Sequence, residues 1–156
     1  MIVIDTNVLS ELMRPLPEPA VLAWMSTVGP GQAATTSITI AEIGQGLARL
    51  PTGKRRALLE DAFASLLDEL DREILAFDRA AAEHYARISH QRESAGKPID
   101  PLDCMIAAIC ASRGASLATR NQRDFDGTGL EIINPWSLSA DAPAPRGSGS
   151  PGEQIP

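Results

Sequence analysis

Short apolar segments alternate with longer segments of helical periodicity along most of the chain. Turn residues or polar residues bound the apolar segments, which predicts a series of short strands. These lie at residues 1–4, 33–36, 74–77, 116–119 and 131–133. Strands that alternate with helices are typical of a mainly parallel sheet that is covered by helices on both faces. The pattern therefore predicts an α/β fold.

The segments between the strands predict helices, at residues 6–13, 20–27, 38–50, 55–70, 79–92 and 101–113. Two of these helices have clear start signals, because Asp78 is a good N-cap and Asp100 stands directly before Pro101. Gly114 follows the last helix and is predicted to end it.

The length of 156 residues fits one domain with a substantial core, which we assign to residues 1–137. Residues 138–156 are rich in proline, glycine and serine. A segment of this composition buries too little apolar surface to offset its chain entropy. We therefore predict that residues 138–156 form a disordered tail.

Charge and composition exclude several classes of function. The net charge of −6 argues against a broad basic surface of the kind that binds nucleic acid non-specifically. No apolar run approaches the ~18 residues that span a bilayer, and no secretory signal is present, so we expect a cytoplasmic protein. Cys104 and Cys110 lie six residues apart within one predicted helix, too far for a disulfide, and are expected in the core. The nucleotide-binding motifs GxxxxGK[ST] and GxGxxG and the hydrolase motif GxSxG are absent as well.

Acidic residues follow the strands at several points. Asp5 comes directly after the first strand, Glu42 lies early in the helix after the second, and Asp103 lies in the first turn after Asp100. Asp124 and Asp126 follow the fourth strand. Because the carboxyl ends of parallel strands share one edge of a sheet, these residues are expected to converge.

Each acid also has a structural interpretation. Asp5 could cap the first helix, Glu42 could form a capping box with Thr39, and Asp103 could favour a helix N-terminus. Asp124 could be a turn residue. Capping does not require acids at the same end of successive strands, however, and clustered carboxylates repel unless a cation neutralises them. The sequence therefore favours a site for a hard divalent ion, Mg²⁺ or Mn²⁺.

Four stretches carry a resemblance to a known family, in the order MIVIDTNVLSELMRP, TSITIAEIGQGLARL, PIDPLDCMIAAICASRG and LATRNQRDFDGTGLEIINPW. Over residues 1–137 the chain resembles PIN-domain ribonucleases of the VapC/FitB toxin type. The resemblance implies a three-layer α/β/α sandwich and Mg²⁺-dependent cleavage of RNA, tRNA or mRNA, to products with a 3′ hydroxyl and a 5′ phosphate. It also implies a small cognate antitoxin protein as partner and a homodimer.

The same resemblance implies catalytic and metal-binding residues. Asp5 of IDTN, Glu42 of TIAEI and Asp103 of DCMIAA match the first three acids of the family. The fourth acid corresponds either to Asn121 or to Asp124, and we favour Asp124 over Asp126 and Asp100. By this interpretation Asp5 and Asp103 bind Mg²⁺, partly through water, while Glu42 and Asp124 complete the shell and orient the attacking water.

Polar residues beside these acids are candidates for contact with the substrate. Thr6 and Asn7 could bond a carboxylate or a phosphate, although helix capping explains them equally well. Three polar residues lie near the last acid in sequence: Arg120, Asn121 and Arg123. The two arginines could contact backbone phosphates, or they could simply be solvated side chains of a loop.

Two other functions stay open at this point. One is a PIN nuclease that acts in RNA maturation or on DNA and is not a toxin. The other is a binding module that keeps the fold without cleaving, which the complete acidic set argues against.

Overall fold

Five strands form one sheet in the structure, a computed structural model that describes residues 1–70 and 74–137. The strands are β1 Ile2–Ile4, β2 Ala33–Thr36, β3 Ile74–Leu75, β4 Ser116–Ala118 and β5 Ile132–Ile133. The helices are α1 Thr6–Leu12, α2 Pro19–Thr27, α3 Ser37–Ala48, α4 Lys54–Glu69, α5 Arg79–Ser94 and α6 Pro101–Arg113. The predicted tail, residues 138–156, lies outside the described residues.

The sheet has the order β3-β2-β1-β4-β5, and every neighbouring pair is parallel. Strand β1 is central: Val3 is in register with Ala34 of β2 on one side and with Leu117 of β4 on the other. From β1 the chain first builds outward through β2 and β3, and it then returns to place β4 on the opposite side. Such a reversal leaves a crevice beyond the carboxyl ends of β1 and β4, where ligands of open α/β sheets bind.

Alternate residues of the central strands point to opposite faces of the sheet and enter two separate cores. Val3 and Leu117 pack in a core with residues of α5 and α6, whereas Ile4 and Ala118 pack with residues of α1, α2 and α4. The three-layer α/β/α fold is therefore confirmed. It also explains why β1 is apolar at every position, because neither of its faces meets water.

The local signals for helix ends are also confirmed. Asp78 accepts a hydrogen bond from the Ala81 N–H and Asp100 accepts one from the Leu102 N–H, so both are N-caps. Gly114 ends α6 with a left-handed backbone, at φ 59°. Cys104 and Cys110 are free and buried in α6, as expected. Within residues 1–70 and 74–137, no helix has the length and apolar character needed to cross a membrane.

Candidate active site

Asp5 lies where β1 ends at the crevice. Its side chain is 3% exposed, and it is held by hydrogen bonds from three directions. Oδ1 accepts from the Thr6 N–H at 2.8 Å, and Oδ2 accepts from Asn7 Nδ2 at 2.8 Å and from Thr119 Oγ1 at 2.7 Å. Burial raises the pKa of Asp5 above its usual value, and the three hydrogen bonds oppose that rise in part.

Glu42 reaches the same region from α3. Its Oε2 accepts a hydrogen bond of 2.7 Å from Thr6 Oγ1, which lies at the start of α1. The capping box predicted for Glu42 with Thr39 is wrong, because α3 begins earlier. Thr36 is its N-cap, with Oγ1 accepting from the Thr39 N–H at 3.0 Å, and Thr39 itself lies inside the helix. The Glu42 carboxylate is therefore directed to another helix and not to the backbone of its own.

Asp103 is half-buried in the first turn of α6. Its pKa is raised from an ordinary 3.8 to about 7, first by burial and then by the negative charges of four other carboxylates. These four are Asp5, Asp100, Asp124 and Glu42. The acids predicted from the sequence therefore lie within electrostatic range of Asp103.

Asp124 and Asp126 follow β4 in one loop but lie in different surroundings. Asp124 is exposed and shares with Asp100 and Asp103 the wall of a cavity of about 200 Å³, the acidic cavity, whose other lining residues are Arg92, Pro98 and Ile99. Asp126 instead accepts a hydrogen bond of 3.1 Å from Lys97, which lowers its pKa. The structure thus places Asp124, and not Asp126, beside Asp103.

Asn7, Thr119 and Asn121 tie the ends of β1 and β4 together. Asn7 donates to Thr119 Oγ1 and accepts from the Arg120 N–H, each at 3.0 Å. The Asn121 N–H donates to the same Thr119 hydroxyl at 3.0 Å. Sequence reasoning missed Thr119. Its signal was available, because Thr119 directly follows β4 just as Asp5 directly follows β1.

The two predicted phosphate-binding arginines lie in separate places. The Arg120 guanidinium lies 5.3 Å from the centre of the Trp136 ring, within the range of a cation–π contact. Arg123 lines a second cavity, beside the acidic one, with Arg92 and Lys97. Trp24 is 5% exposed and belongs to the core.

The carboxylates of this site are oxygen donors of the kind that a hard divalent ion takes. Among residues 1–70 and 74–137, no three Asp, Glu, His or Cys side chains lie close enough together to bind one ion directly. Mg²⁺ usually keeps several waters and binds through one or two carboxylates, so direct ligation by three is not required. A bound cation would offset the negative charges that, after burial, raise the pKa of Asp103.

The structure is a parallel α/β/α sandwich with acidic side chains at the carboxyl end of its central strand. Comparison with known protein families identifies the class to which it belongs. Residues 2–129 match the PIN domain family. The chain belongs to the PIN-domain family. Among its relatives are VapC and FitB proteins, which places it in that group.

A VapC ribonuclease of Sinorhizobium fredii is 41% identical over 137 residues, covering 87% of this chain and 98% of the relative. The toxin FitB of Neisseria gonorrhoeae is 35% identical, with 87% of this chain and 99% of FitB covered. The crystal structure of FitAcB from Neisseria gonorrhoeae superposes with a TM-score of 0.82 at 35% identity, covering 88% of this chain and 100% of the other.

Proposed function

We propose that this protein is a Mg²⁺-dependent endoribonuclease and the toxic component of a type II toxin–antitoxin pair. The observation that carries the proposal is that Asp5, Glu42 and Asp124, from three other parts of the chain, lie close enough to Asp103 to act on its charge, with Asp124 also sharing a cavity wall with it. The names of the relatives, a VapC ribonuclease and the toxin FitB, support RNA cleavage and toxicity.

In this proposal Asp5 and Asp103 hold the ion, and Glu42 and Asp124 hold the water molecules around it. When bound, Mg²⁺ lowers the pKa of an attacking water and offsets negative charge that develops on the phosphate. The protein fixes the direction of its acids in advance: Asp5 accepts three hydrogen bonds, and Thr6 orients Glu42. Fixed carboxylates need no rearrangement during the reaction, which favours catalysis.

Cleavage of a pool of cellular tRNA and mRNA tests the enzymatic part. We expect cleavage with Mg²⁺ or Mn²⁺, none in EDTA, and a loss of at least about 100-fold in Asp5→Asn and in Asp103→Asn. Asp68→Asn is the matched control, because Asp68 is exposed on α4 and the substitution removes the same charge. Cleavage that survives EDTA, or that survives both substitutions in the acidic cluster, would contradict the proposed mechanism.

Expression in cells tests the toxin part. Solved neighbours of this chain are toxin–antitoxin complexes, among them VapBC from Salmonella typhimurium with bound DNA, at 26% identity and a TM-score of 0.70. We expect the wild-type chain to arrest growth, Asp5→Asn to be harmless, and co-expression of a small protein encoded beside this chain to restore growth. RNA cleavage in vitro without growth arrest would favour a role in RNA maturation.

We also propose that the protein forms a homodimer, as its resemblance to the VapC/FitB group implies. Sedimentation equilibrium of the purified chain tests this directly. A mass of 16.6 kDa at all concentrations would show a monomer.

A further inference from the structure

The cavity next to the acidic one has the opposite charge. It measures about 590 Å³ and is lined by Arg92, Lys97, Gln122, Arg123 and Asp126, which we call the basic groove. Three cations and one carboxylate give it a local charge of +2, whereas the whole chain carries −6. A polyanion that must approach a cluster of carboxylates is attracted to this positive lining.

Arg92 connects the two cavities, since its side chain lines both of them. It is 6% exposed, and its Nη1 donates to the carbonyl oxygen of Asp126. Its Nε is buried and has no hydrogen-bond acceptor within residues 1–70 and 74–137. In the same part of the chain Arg92 forms no ion pair with a carboxylate.

Buried arginines are normally paired, because an unpaired charge away from water is costly. An arginine that is buried, incompletely bonded and part of the lining of two cavities indicates an anionic partner from outside the chain. The guanidinium group suits phosphate in particular, because its planar donors match two phosphate oxygens at once.

The other two cations of the groove are available to such a partner. Lys97 and Asp126 are 3.1 Å apart but have side chains 64% and 67% exposed, so their ion pair contributes little and can open at small cost. Arg123 is exposed, and within residues 1–70 and 74–137 it takes part in no ion pair.

We propose that the basic groove is a subsite for the RNA strand and that it binds the phosphate next to the one that is cleaved. The proposal rests on the nuclease function proposed above and adds the path of the substrate. The strand lies across Arg92, with one phosphate at the acidic cavity and its neighbour between Arg92, Lys97 and Arg123. The groove thus offsets the repulsion between the RNA and the acidic cluster.

Binding of a single-stranded oligoribonucleotide in EDTA tests the subsite without cleavage. The test variant is Lys97→Gln/Arg123→Gln, in which both altered side chains are exposed, so the fold is expected to persist. The control is Arg55→Gln/Arg79→Gln, which removes the same charge from exposed positions on α4 and α5. Fluorescence anisotropy measures affinity over a range of salt concentrations, and thermal unfolding checks each variant.

We expect the groove variant to bind about tenfold more weakly and the control to stay within about twofold of wild type. The slope of log affinity against log salt should fall by about 1.4 in the groove variant, at about 0.7 for each lost contact with a single strand. A groove variant that binds like the control would overturn the proposal.

A second measurement locates the bound phosphate. Once the cleaved bond is mapped, the phosphate on either side of it is replaced in turn by an uncharged methylphosphonate. One replacement should weaken binding to wild type clearly more than binding to the groove variant, because that variant keeps only the Arg92 contact with this phosphate. Equal losses in both proteins, at both positions, would contradict binding of the neighbouring phosphate.

Failure of this subsite and failure of the nuclease proposal give different results. Groove-dependent binding without cleavage would refute the nuclease and leave an RNA-binding groove. If the protein cleaves RNA but its affinity for RNA does not depend on Lys97 and Arg123, only the subsite is refuted.

Discussion

Thr6 is the residue on which two of the converging acids depend. Its N–H donates to Asp5 and its hydroxyl donates to Glu42, at 2.8 and 2.7 Å. The sequence offered helix capping or contact with a carboxylate for Thr6, and the structure shows the second, to two carboxylates at once. Residues that orient metal-binding carboxylates usually affect metal affinity or rate nearly as much as the ligands do.

Removing the Thr6 hydroxyl tests this role. Thr6→Val keeps the shape of the side chain but leaves Glu42 without its donor. We expect RNA cleavage under single-turnover conditions to slow by about 10-fold to 100-fold, or the Mg²⁺ concentration required to rise by a similar factor. Thr6→Ser keeps the hydroxyl and should retain most of the activity. Wild-type rate and Mg²⁺ dependence in Thr6→Val would show that Glu42 needs no orientation.

The carboxyl group of Asp103 makes the stability of the metal-free protein depend on pH. Its pKa is about 7 in the folded state and 3.8 in its ordinary state, so the folded chain binds more protons than the unfolded chain between these values. Stability therefore falls as pH rises through this window and stays low above it. Asp103→Asn carries no charge. In EDTA at pH 8 we expect it to have a higher unfolding temperature than wild type, with a free energy of unfolding about 2 kcal/mol larger after allowance for partial exposure.

That difference should shrink as pH falls from 7 toward 4 and vanish below about pH 3, where the wild-type carboxyl is protonated in both states. Asp68→Asn, on the exposed side of α4, should show no such trend. Equal unfolding temperatures of Asp103→Asn and wild type at pH 8 would contradict the raised pKa.

At the scale of elements, the sequence predicted the strands and helices well because their signals are local. Each of these signals acts on residues only a few positions away. Examples are the apolar run of β1, the N-caps Asp78 and Asp100, and the left-handed Gly114. The N-cap residue of α3 could not be chosen in this way. Thr36 and Thr39 each stand three residues before a polar residue, and the structure shows that Thr36 is the N-cap.

In the candidate site as well, residues marked by local signals could be predicted, whereas contacts between distant residues could not. The acids could be proposed from the sequence because Asp5 directly follows β1, Glu42 lies in the helix after β2 and Asp103 lies in the first turn of α6. The contact of Arg92 with the carbonyl of Asp126 was not, because it joins residues 34 positions apart and no local pattern marks it. Long-range contacts of this kind follow from the way α5 packs on the sheet.

The cap of α3 links the stability of this helix to the position of Glu42. Thr36→Ala removes the acceptor for the Thr39 N–H and leaves that group unpaired in a buried position. We expect a loss of about 1 to 2 kcal/mol in the free energy of unfolding, measured with urea, together with slower RNA cleavage. Thr36→Ser keeps the cap oxygen and should lose less of both. A stability of Thr36→Ala equal to that of Thr36→Ser would show that the cap is not needed.

At the scale of the molecule, the order of the sheet assembles the site. Asp5, Glu42, Asp103 and Asp124 are far apart in sequence, and the reversal of strand order at β1 brings their elements to one crevice. No single segment contains the site, so it exists only when the sheet is complete. We therefore expect RNA cleavage to be lost at the same denaturant concentration at which residues 1–137 unfold.

Deletion of residues 138–156 tests whether residues 1–137 suffice. An alignment over 137 residues of this chain covers 98% of the relative from Sinorhizobium fredii. The sequence also predicts that residues 138–156 add nothing to the core. A chain that ends at residue 137 should unfold within about 1 °C of the full chain and cleave RNA at the same rate.

Deletion from residue 130 serves as the control. It removes β5, which pairs with β4, and Ile133, which packs in the core of α1, α2 and α4, so it should unfold the domain. A clear loss of stability in the chain that ends at 137 would mean that the domain boundary lies further along the chain.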